Sequence, residues 1–143
     1  GKHRLVINVS DGSVAGTTGQ GLRLEGIHIN LSNQEYTGSI EYKTHVQDYG
    51  WETNWKANGS QSGTVGKGKR LEAIQIKLTG VMAEKYDVYY RVHCENFGWM
   101  GWAKNGESSG SAGYGYRLEG IQIVLVPKGS AAPGSTATAF AKR

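Results

Sequence analysis

The chain has 143 residues, 38% of them hydrophobic and 20% charged, which is typical of one globular domain and unlike a disordered segment. Its net charge of +4 comes without a run of basic residues, which argues against a nucleic-acid groove, and no apolar stretch is long enough to span a membrane. The single cysteine excludes an internal disulfide framework and a cysteine-based zinc site, and we expect no metal or other cofactor.

Three copies of one sequence unit follow one another along the chain. Residues Arg23–Ile27, Arg70–Ile74 and Arg117–Ile121 read RLEGI, RLEAI and RLEGI, and 47 residues separate each arginine from the next. Several glycines upstream of each copy keep the same spacing. A fixed period of this length indicates a repeat architecture in which neighbouring units share a core.

Each unit contains a tight turn followed by a strand. The dipeptides Asp11-Gly12, Asn58-Gly59 and Asn105-Gly106 predict type I′ hairpin turns, because Asn, Asp and Gly tolerate positive φ. After each Arg-Leu-Glu, apolar residues alternate with more polar ones, which predicts a strand with one buried face. The apolar residues of these three strands are Ile27, Ile29 and Leu31; Ile74, Ile76 and Leu78; and Ile121, Ile123 and Leu125.

A second sequence block occurs in only two of the units. Residues 40–51 and 88–99 alternate in the same way and end in a tryptophan, so they predict a further strand in each of these units. The first unit lacks this block, and Asn8 stands where Trp55 and Trp102 stand in the other two. The chain therefore holds two complete units and one truncated unit.

Three units that cannot bury a face alone are expected to share one core around a pseudo-threefold axis. We predict an all-β, pseudo-threefold repeat domain with a β-prism-like arrangement, and a β-trefoil is the alternative. The domain covers residues 1–126, with units at 1–33, 34–80 and 81–126. Residues 127–143 contain glycine and proline and predict a flexible C-terminal tail. A second interpretation is that this tail returns to cover the edge that the truncated unit leaves open.

The second unit carries a longer pattern of aromatic, polar and glycine positions. These positions are Tyr42, His45–Gln47, Gly50-Trp51, Trp55, Asn58-Gly59, Gly63-Thr64, Gly66 and Arg70–Leu78. The pattern resembles the clostridial hydrophobic-with-tryptophan (ChW) repeat. The third unit shares it at Tyr90, His93, Gly98-Trp99, Trp102, Asn105-Gly106 and Arg117–Leu125, with Cys94-Glu95 in place of Val-Gln. The first unit shares it only between Ser10 and Leu31.

The resemblance implies a module of an extracellular bacterial protein, and hence a secreted or cell-surface location. Repeats of this family accompany secreted enzymes, adhesins and wall-binding regions. Their role is taken to be attachment to surfaces or polysaccharides. The expected partner is therefore a glycan or a cell-wall polysaccharide.

Aromatic rings and planar polar groups are the side chains that commonly bind sugars, because a ring packs on the apolar face of a pyranose while amides, imidazoles and carboxylates bind hydroxyls. Two clusters of candidate ligand-binding residues have this composition. The first is His45, Gln47, Tyr49, Trp51, Trp55 and Asn58, and the second is His93, Glu95, Phe97, Trp99, Trp102 and Asn105. Two similar sites would give avidity on a repetitive polymer.

The same residues also have a structural interpretation. Trp51 and Trp99 end alternating strands and are as well suited to the core as to the surface. Trp55 and Trp102 precede a hairpin turn, which favours exposure. The two histidines are more simply explained as hydrogen-bonded structural residues than as metal ligands.

The glutamates Glu25, Glu72 and Glu119 lie on the core side of their strands. A buried carboxylate needs a partner, and the neighbouring arginine or a backbone N–H is the natural one. Acid–base catalysis needs groups in unlike environments, whereas residues related by a repeat have similar environments. We therefore expect no catalytic residues and no enzymatic activity.

These observations predict a non-catalytic, carbohydrate- or cell-surface-binding module. The alternative belongs to a different functional class. It is a structural or protein-interaction (adhesion) module in which the tryptophans form part of the core.

Overall fold

A computed structural model of the chain describes residues 14–16, 24–31 and 34–143, with only the backbone described for 14–16. The described part is built almost entirely of strands. They are β1 (Val14–Gly16), β2 (Gly26–Ile27), β3 (Ile40–Val46), β4 (Gly50–Trp51), β5 (Lys56–Ala57), β6 (Ser62–Gly63), β7 (Leu71–Leu78), β8 (Tyr86–Cys94), β9 (Gly98–Trp99), β10 (Ala103–Lys104), β11 (Ser108–Ala112), β12 (Leu118–Pro127) and β13 (Phe140–Lys142). One short helix, α1 (Gly80–Lys85), joins β7 to β8.

The long strands follow the predicted period of two. In β3 the residues Ile40, Tyr42, Thr44 and Val46 are buried, and the residues between them are partly exposed. The second half of β7 and the same part of β12 alternate in this way as well. One face of each strand thus joins the core and the other faces outward, as the sequence predicts.

The hairpin turns also form where the sequence predicts them. Asn58 and Gly59 have φ of 38° and 86°, and Asn105 and Gly106 have φ of 45° and 89°, as a type I′ turn requires. The Asn58 side-chain oxygen accepts a hydrogen bond from Ile40 N at 3.1 Å, so the turn residue also ties the hairpin to the start of β3. The turn predicted at residues 11–12 lies outside the described residues.

The strands that the structure describes form three separate sheets. In the first, the order is β1-β12-β8-β10, with β9 also paired to β8. In the second, the order is β13-β11-β7-β3-β4, with β5 also paired to β3. The third contains β2 and β6. The strand that follows Arg-Leu-Glu is central in the first two sheets, between the Tyr-containing strand of its own unit and a short strand of another unit.

The pairing between units closes a ring. The short strand β6 of the second unit pairs with β2 of the first, and β11 of the third unit pairs with β7 of the second. In turn β1 of the first unit pairs with β12 of the third. Each unit therefore completes the sheet of the unit before it, around a pseudo-threefold axis.

One hydrophobic core lies between the three sheets. It contains isoleucines and leucines from every unit, together with the buried Tyr42 and Tyr90. The hydroxyl of Tyr90 donates to the carbonyl of Glu107, so the one polar atom of this ring is satisfied. The protein is thus an all-β repeat domain, and in the described residues its sheets stay separate and form no closed barrel.

The C-terminal segment differs from the flexible tail that the sequence predicts. It folds back along the domain, and β13 pairs in parallel with β11, with Phe140 opposite Gly110. The tail therefore extends the sheet of the second unit and does not fill the edge left by the truncated unit. The unit boundaries themselves stay a prediction.

A buried carboxylate holds the beginning of this tail. Asp87, only 1% exposed, accepts hydrogen bonds from Gly129 N at 2.9 Å and Asn105 Nδ2 at 2.8 Å and pairs with Lys128 Nζ at 3.0 Å. Burial opposes ionisation of Asp87, but the hydrogen bonds from Asn105 and Gly129 and the pairing with Lys128 outweigh it and lower the pKa of this carboxyl. The second unit has Ser39 at the equivalent position and no such anchor.

Candidate functional site

The tryptophans that end the two repeated blocks, Trp51 and Trp99, are partly exposed. The short strands β4 and β9 pair with β3 and β8, so that Trp51 stands opposite His45 and Trp99 stands opposite His93. In each pair the rings meet edge to face, with centroids 5.4 Å apart. The two units thus present the same arrangement on two sides of the domain.

In the third unit an arginine lies between the two tryptophans. The guanidinium carbon of Arg91 is 4.5 Å from the ring centroid of Trp99 and 4.9 Å from that of Trp102. Arg91 Nε also donates a hydrogen bond to Gln122 Oε1 at 2.9 Å. Two indoles and one amide therefore hold the plane of this guanidinium in a defined position.

A cleft of about 500 Å³ opens beside this stack. One side is formed by the outer face of the sheet, with Arg91, Gln122, Val124 and the two tryptophans. The opposite side is formed by the tail, from Pro133 to Ala137. The cleft therefore depends on both the repeat scaffold and a segment that has no counterpart in the repeat.

The tail also explains the burial of Trp102. Ser135 O accepts a hydrogen bond from Trp102 N at 2.9 Å, and Gly134 lies close enough that a Cβ there would be 3.0 Å from Trp102 Nε1. Trp102 is consequently only 7% exposed. The expectation that Trp102 is more exposed than Trp99 is therefore wrong, since the tail covers Trp102 and leaves Trp99 partly exposed.

On the equivalent face of the second unit, lysines take the place of the arginine. Its Trp55 is partly exposed and contacts two lysines, with Lys43 Nζ 5.0 Å and Lys77 Nζ 4.3 Å from the ring centroid. Lys43 occupies the position that Arg91 has in the third unit. The end of the tail reaches this unit, where the ring centroids of Phe140 and Trp51 are 6.5 Å apart.

The buried glutamates of both units each contact one histidine and one arginine. Glu119 accepts from His93 Nδ1 at 3.0 Å and pairs with Arg117 Nη2 at 2.9 Å. The same pairing occurs at Glu72, which contacts His45 Nδ1 at 2.9 Å and Arg70 Nε at 2.8 Å. Both histidines are thus hydrogen-bonded inside the domain, and both carboxylates pair with the neighbouring arginine, as expected for carboxylates on the core side of a strand.

The equivalent Glu25 of the first unit is also buried. Its neighbour Arg23 lies outside the described residues.

Most of the other polar candidates are used inside the domain. Gln47 Oε1 accepts from Arg70 N at 3.2 Å, and Glu95 accepts from Arg117 N at 3.2 Å and pairs with Arg117 Nη1 at 2.6 Å. The side-chain oxygens of Asn58 and Asn105 fix their hairpins, as described above for Asn58. The structure therefore does not bring these amides and carboxylates into the cleft.

Two aromatic candidates are exposed and lie outside the cleft. Tyr49, 60% exposed, sits at a turn, with Lys69 Nζ 5.6 Å from its ring centroid. Phe97, 39% exposed, contacts the rings of Tyr114 and Tyr116, with centroids 5.2 Å and 5.5 Å away. Only Trp99 and Trp102 of the predicted ligand-binding residues line the cleft.

Sequence reasoning missed Arg91, Gln122 and the tail as parts of this site. The first two had a signal, because they are outward-facing residues of adjacent strands and lie opposite each other in the register. The tail had none, because its contacts with Trp102 and Gly101 are made by the backbone carbonyls of Ser135 and Thr138.

No group of three or more His, Cys, Asp or Glu side chains in the described part of the chain could hold a metal ion. Cys94 is buried next to Ser111, and burial raises the pKa of its thiol to about 11, which leaves it protonated at neutral pH. What the cleft combines is a fixed cation, an amide and partly exposed aromatic surface, which suits binding.

Comparison with known proteins identifies the repeat. The family described as Clostridial hydrophobic W (ChW) matches the chain at residues 7–33, 45–80 and 93–127. No curated protein and no solved structure showed significant similarity to it. In the residues that the structure describes, no helix has the length and apolar character needed to cross a membrane. The matches cover more than half of the chain and include all three copies, so the chain belongs to the ChW family, whose repeats often occur in cell-surface proteins.

Proposed function

We propose that this domain is a non-catalytic module that binds carbohydrate at a cell surface, as part of a secreted or surface-attached protein. The observation that carries the proposal is the cleft in which Arg91, Trp99, Trp102 and Gln122 converge. Family membership supports the location, because ChW repeats often occur in cell-surface proteins.

The dimensions and chemistry of the cleft suit a saccharide. Its volume of about 500 Å³ lies within the usual range for small-ligand sites, which is about 300–1,000 Å³. The exposed part of Trp99 and the side chain of Val124 give apolar surface for the C–H face of a sugar ring. Arg91 and Gln122 give polar groups that are already held in place, which lowers the entropic cost of binding.

The absence of catalysis is part of the proposal. Glu72 and Glu119 are related by the repeat, and each is paired with both an arginine and a histidine. Two carboxylates in such similar surroundings do not divide into a proton donor and a proton acceptor. A binding module that positions a larger protein needs no such pair.

A protein-interaction role is the second candidate. The three exposed or partly exposed rings of Phe97, Tyr114 and Tyr116 favour it, because aromatic side chains are enriched in protein interfaces. These rings lie away from the residues that line the cleft, so separate substitutions distinguish the two candidates.

The test is a pull-down with purified bacterial wall polysaccharides, followed by calorimetry on any preparation that retains the domain. We expect Trp99→Ala to weaken binding about tenfold, which corresponds to about 1.4 kcal/mol. Tyr49→Ala, an exposed aromatic outside the cleft, is the matched control and should bind as the unaltered domain does. Failure of every polysaccharide to bind would overturn the proposal. Loss of binding to a cell-surface protein in Phe97→Ala alone would favour the second candidate.

A further inference from the structure

Arg91 is a partly buried cation that has no acidic partner among the described residues. In the described part of the repeat, Arg70 and Arg117 pair with Glu72 and Glu119. Arg91 takes part in no ion pair within the described residues, and its hydrogen bond to Gln122 uses only Nε. Its two terminal amino groups make no hydrogen bond to the described part of the chain, and the residue borders the cleft.

The position of this charge is fixed before any ligand arrives. Trp99 and Trp102 hold the guanidinium plane between them, and Gln122 holds its Nε edge. A planar guanidinium with free terminal N–H groups binds a carboxylate or a phosphate through two parallel hydrogen bonds. Because the group is already oriented, little side-chain entropy is lost when such an anion binds.

We infer that the cleft binds an acidic saccharide, with the sugar carboxylate paired to the terminal N–H groups of Arg91. The inference rests on the proposed function and names its ligand class. The sugar ring then lies against the exposed part of Trp99 and against Val124, and the tail from Pro133 to Ala137 limits the cleft on the other side. A neutral sugar would leave the guanidinium without a counter-charge in a partly desolvated cleft, which disfavours its binding.

The second unit supplies a natural comparison. Lys43 stands where Arg91 stands and lies over Trp55, but the cleft is formed only against the third unit, beneath residues 133–137 of the tail. Lysine also lacks the planar fork that binds a carboxylate through two bonds. The inference therefore assigns the acidic-sugar site to the third unit alone, and Lys43→Gln is its matched control.

The experiment compares three ligands on the full chain by calorimetry. They are a galacturonic acid trisaccharide, its methyl ester, and glucose 6-phosphate. The last of these tests whether the site prefers a phosphate to a carboxylate. We expect the acid to bind about tenfold or more tightly than its ester, because charge-assisted bidentate hydrogen bonds are among the strongest. Arg91→Gln should abolish this preference, Arg91→Lys should restore part of it, and Lys43→Gln should leave it unchanged.

Each outcome decides the inference. Equal binding of acid and ester overturns it and leaves the proposed function standing, whereas no binding of any wall polysaccharide overturns both. Tighter binding of glucose 6-phosphate than of the acid overturns the assignment to a carboxylate. An equal effect of Lys43→Gln overturns the assignment to the third unit. The comparison of acid with ester uses the unaltered chain, so it stays decisive even if a substitution at Arg91 unfolds the domain.

Discussion

Single residues at the contacts between units determine whether the ring can close. Gly110 in β11 has φ of +116°, and a Cβ at this position would lie 2.5 Å from the carbonyl oxygen of Glu72 in the facing strand. Any side chain would therefore push β11 away from β7, the strand with which it pairs. This glycine is required both by its backbone conformation and by the close approach of two units.

The first prediction follows from this contact. Gly110→Ala should lower the free energy of unfolding by about 3 kcal/mol or more, because it adds a steric clash to an unfavourable φ. Gly98→Ala is the control, since Gly98 also has positive φ (+69°) but no atom within 4 Å of the added Cβ. Its cost should be about 1 kcal/mol. Urea unfolding measures both, and equal costs would contradict the proposed clash.

The second prediction separates the two tryptophans that are equivalent in the repeat. Trp102→Ala should cost about 3–5 kcal/mol, the usual range for a large buried aromatic side chain, because Trp102 is covered by the tail. Trp55→Ala should cost clearly less, since Trp55 is partly exposed. Urea unfolding of the two variants tests this. A larger loss for Trp55 would show that the tail does not cover Trp102 in solution.

At the scale of residues, the sequence predicted the contacts that recur in the repeated units. It did not predict the contacts that the tail makes with one unit alone. The pairing of Glu72 and Glu119 with arginine could be predicted, because a carboxylate on the core side of a strand needs a partner. The difference between Trp55 and Trp102 could not be, because it comes from backbone contacts of the tail. Backbone hydrogen bonds leave no pattern of residue types.

At the scale of elements, a single ionised group holds the beginning of the tail. Asp87 links β8 to Lys128 and Gly129 at the start of the tail, and its pKa is lower in the folded domain than in the unfolded chain. The stabilisation is therefore complete above the unfolded-state pKa of about 4 and is lost as the pH falls through the lower folded-state value.

The third prediction concerns this attachment. As the pH falls below about 4, the amide protons of Gly129 and Trp102 should lose protection against hydrogen exchange before the strands β7 and β12 do. Asp87→Asn should show reduced protection already at neutral pH and a loss of about 2 kcal/mol in stability. Asp48→Asn, which removes an exposed carboxylate paired with Lys69, should leave the tail protected. Equal protection of the tail at pH 6 and pH 3 would contradict the role of Asp87.

Element by element, prediction succeeded where the period of two is long. The strands β3, β7, β8 and β12 carry enough alternating residues to be recognised. The two-residue strands β4, β5, β9 and β10 carry no period, and their place depends on pairing with a neighbour. The segment that contains β13 was predicted to be flexible, because the residues that precede this strand include glycine and proline. Its position instead follows from the free edge of β11, which the sequence of the tail does not reveal.

For the whole molecule, the ring of pairings means that each of the described sheets contains strands from more than one unit. The strand β7 of the second unit has β3 of its own unit on one side and β11 of the third unit on the other. The single core likewise takes residues from all three units. We therefore expect the complete domain to fold stably and a single unit not to fold by itself.

The fourth prediction tests this cooperativity. A peptide of residues 34–80, one complete unit by sequence, should lack strand structure by circular dichroism and show no dispersed amide signals in NMR spectra. The full chain should unfold in one transition with coincident fluorescence and circular dichroism curves. A folded single unit, or two separate transitions, would contradict the shared core.

The pairing of β1 with β12 also limits how a protein of this family can grow. In a linear stack of repeats each end keeps an edge that one more repeat can extend, so the copy number is free. Here the third unit pairs with the first through β12 and β1, so a fourth copy could not be inserted between them without breaking this pairing. A longer protein built on this plan would grow by adding complete domains of three repeats, connected by linkers. Each domain would unfold independently, and each would add one cleft.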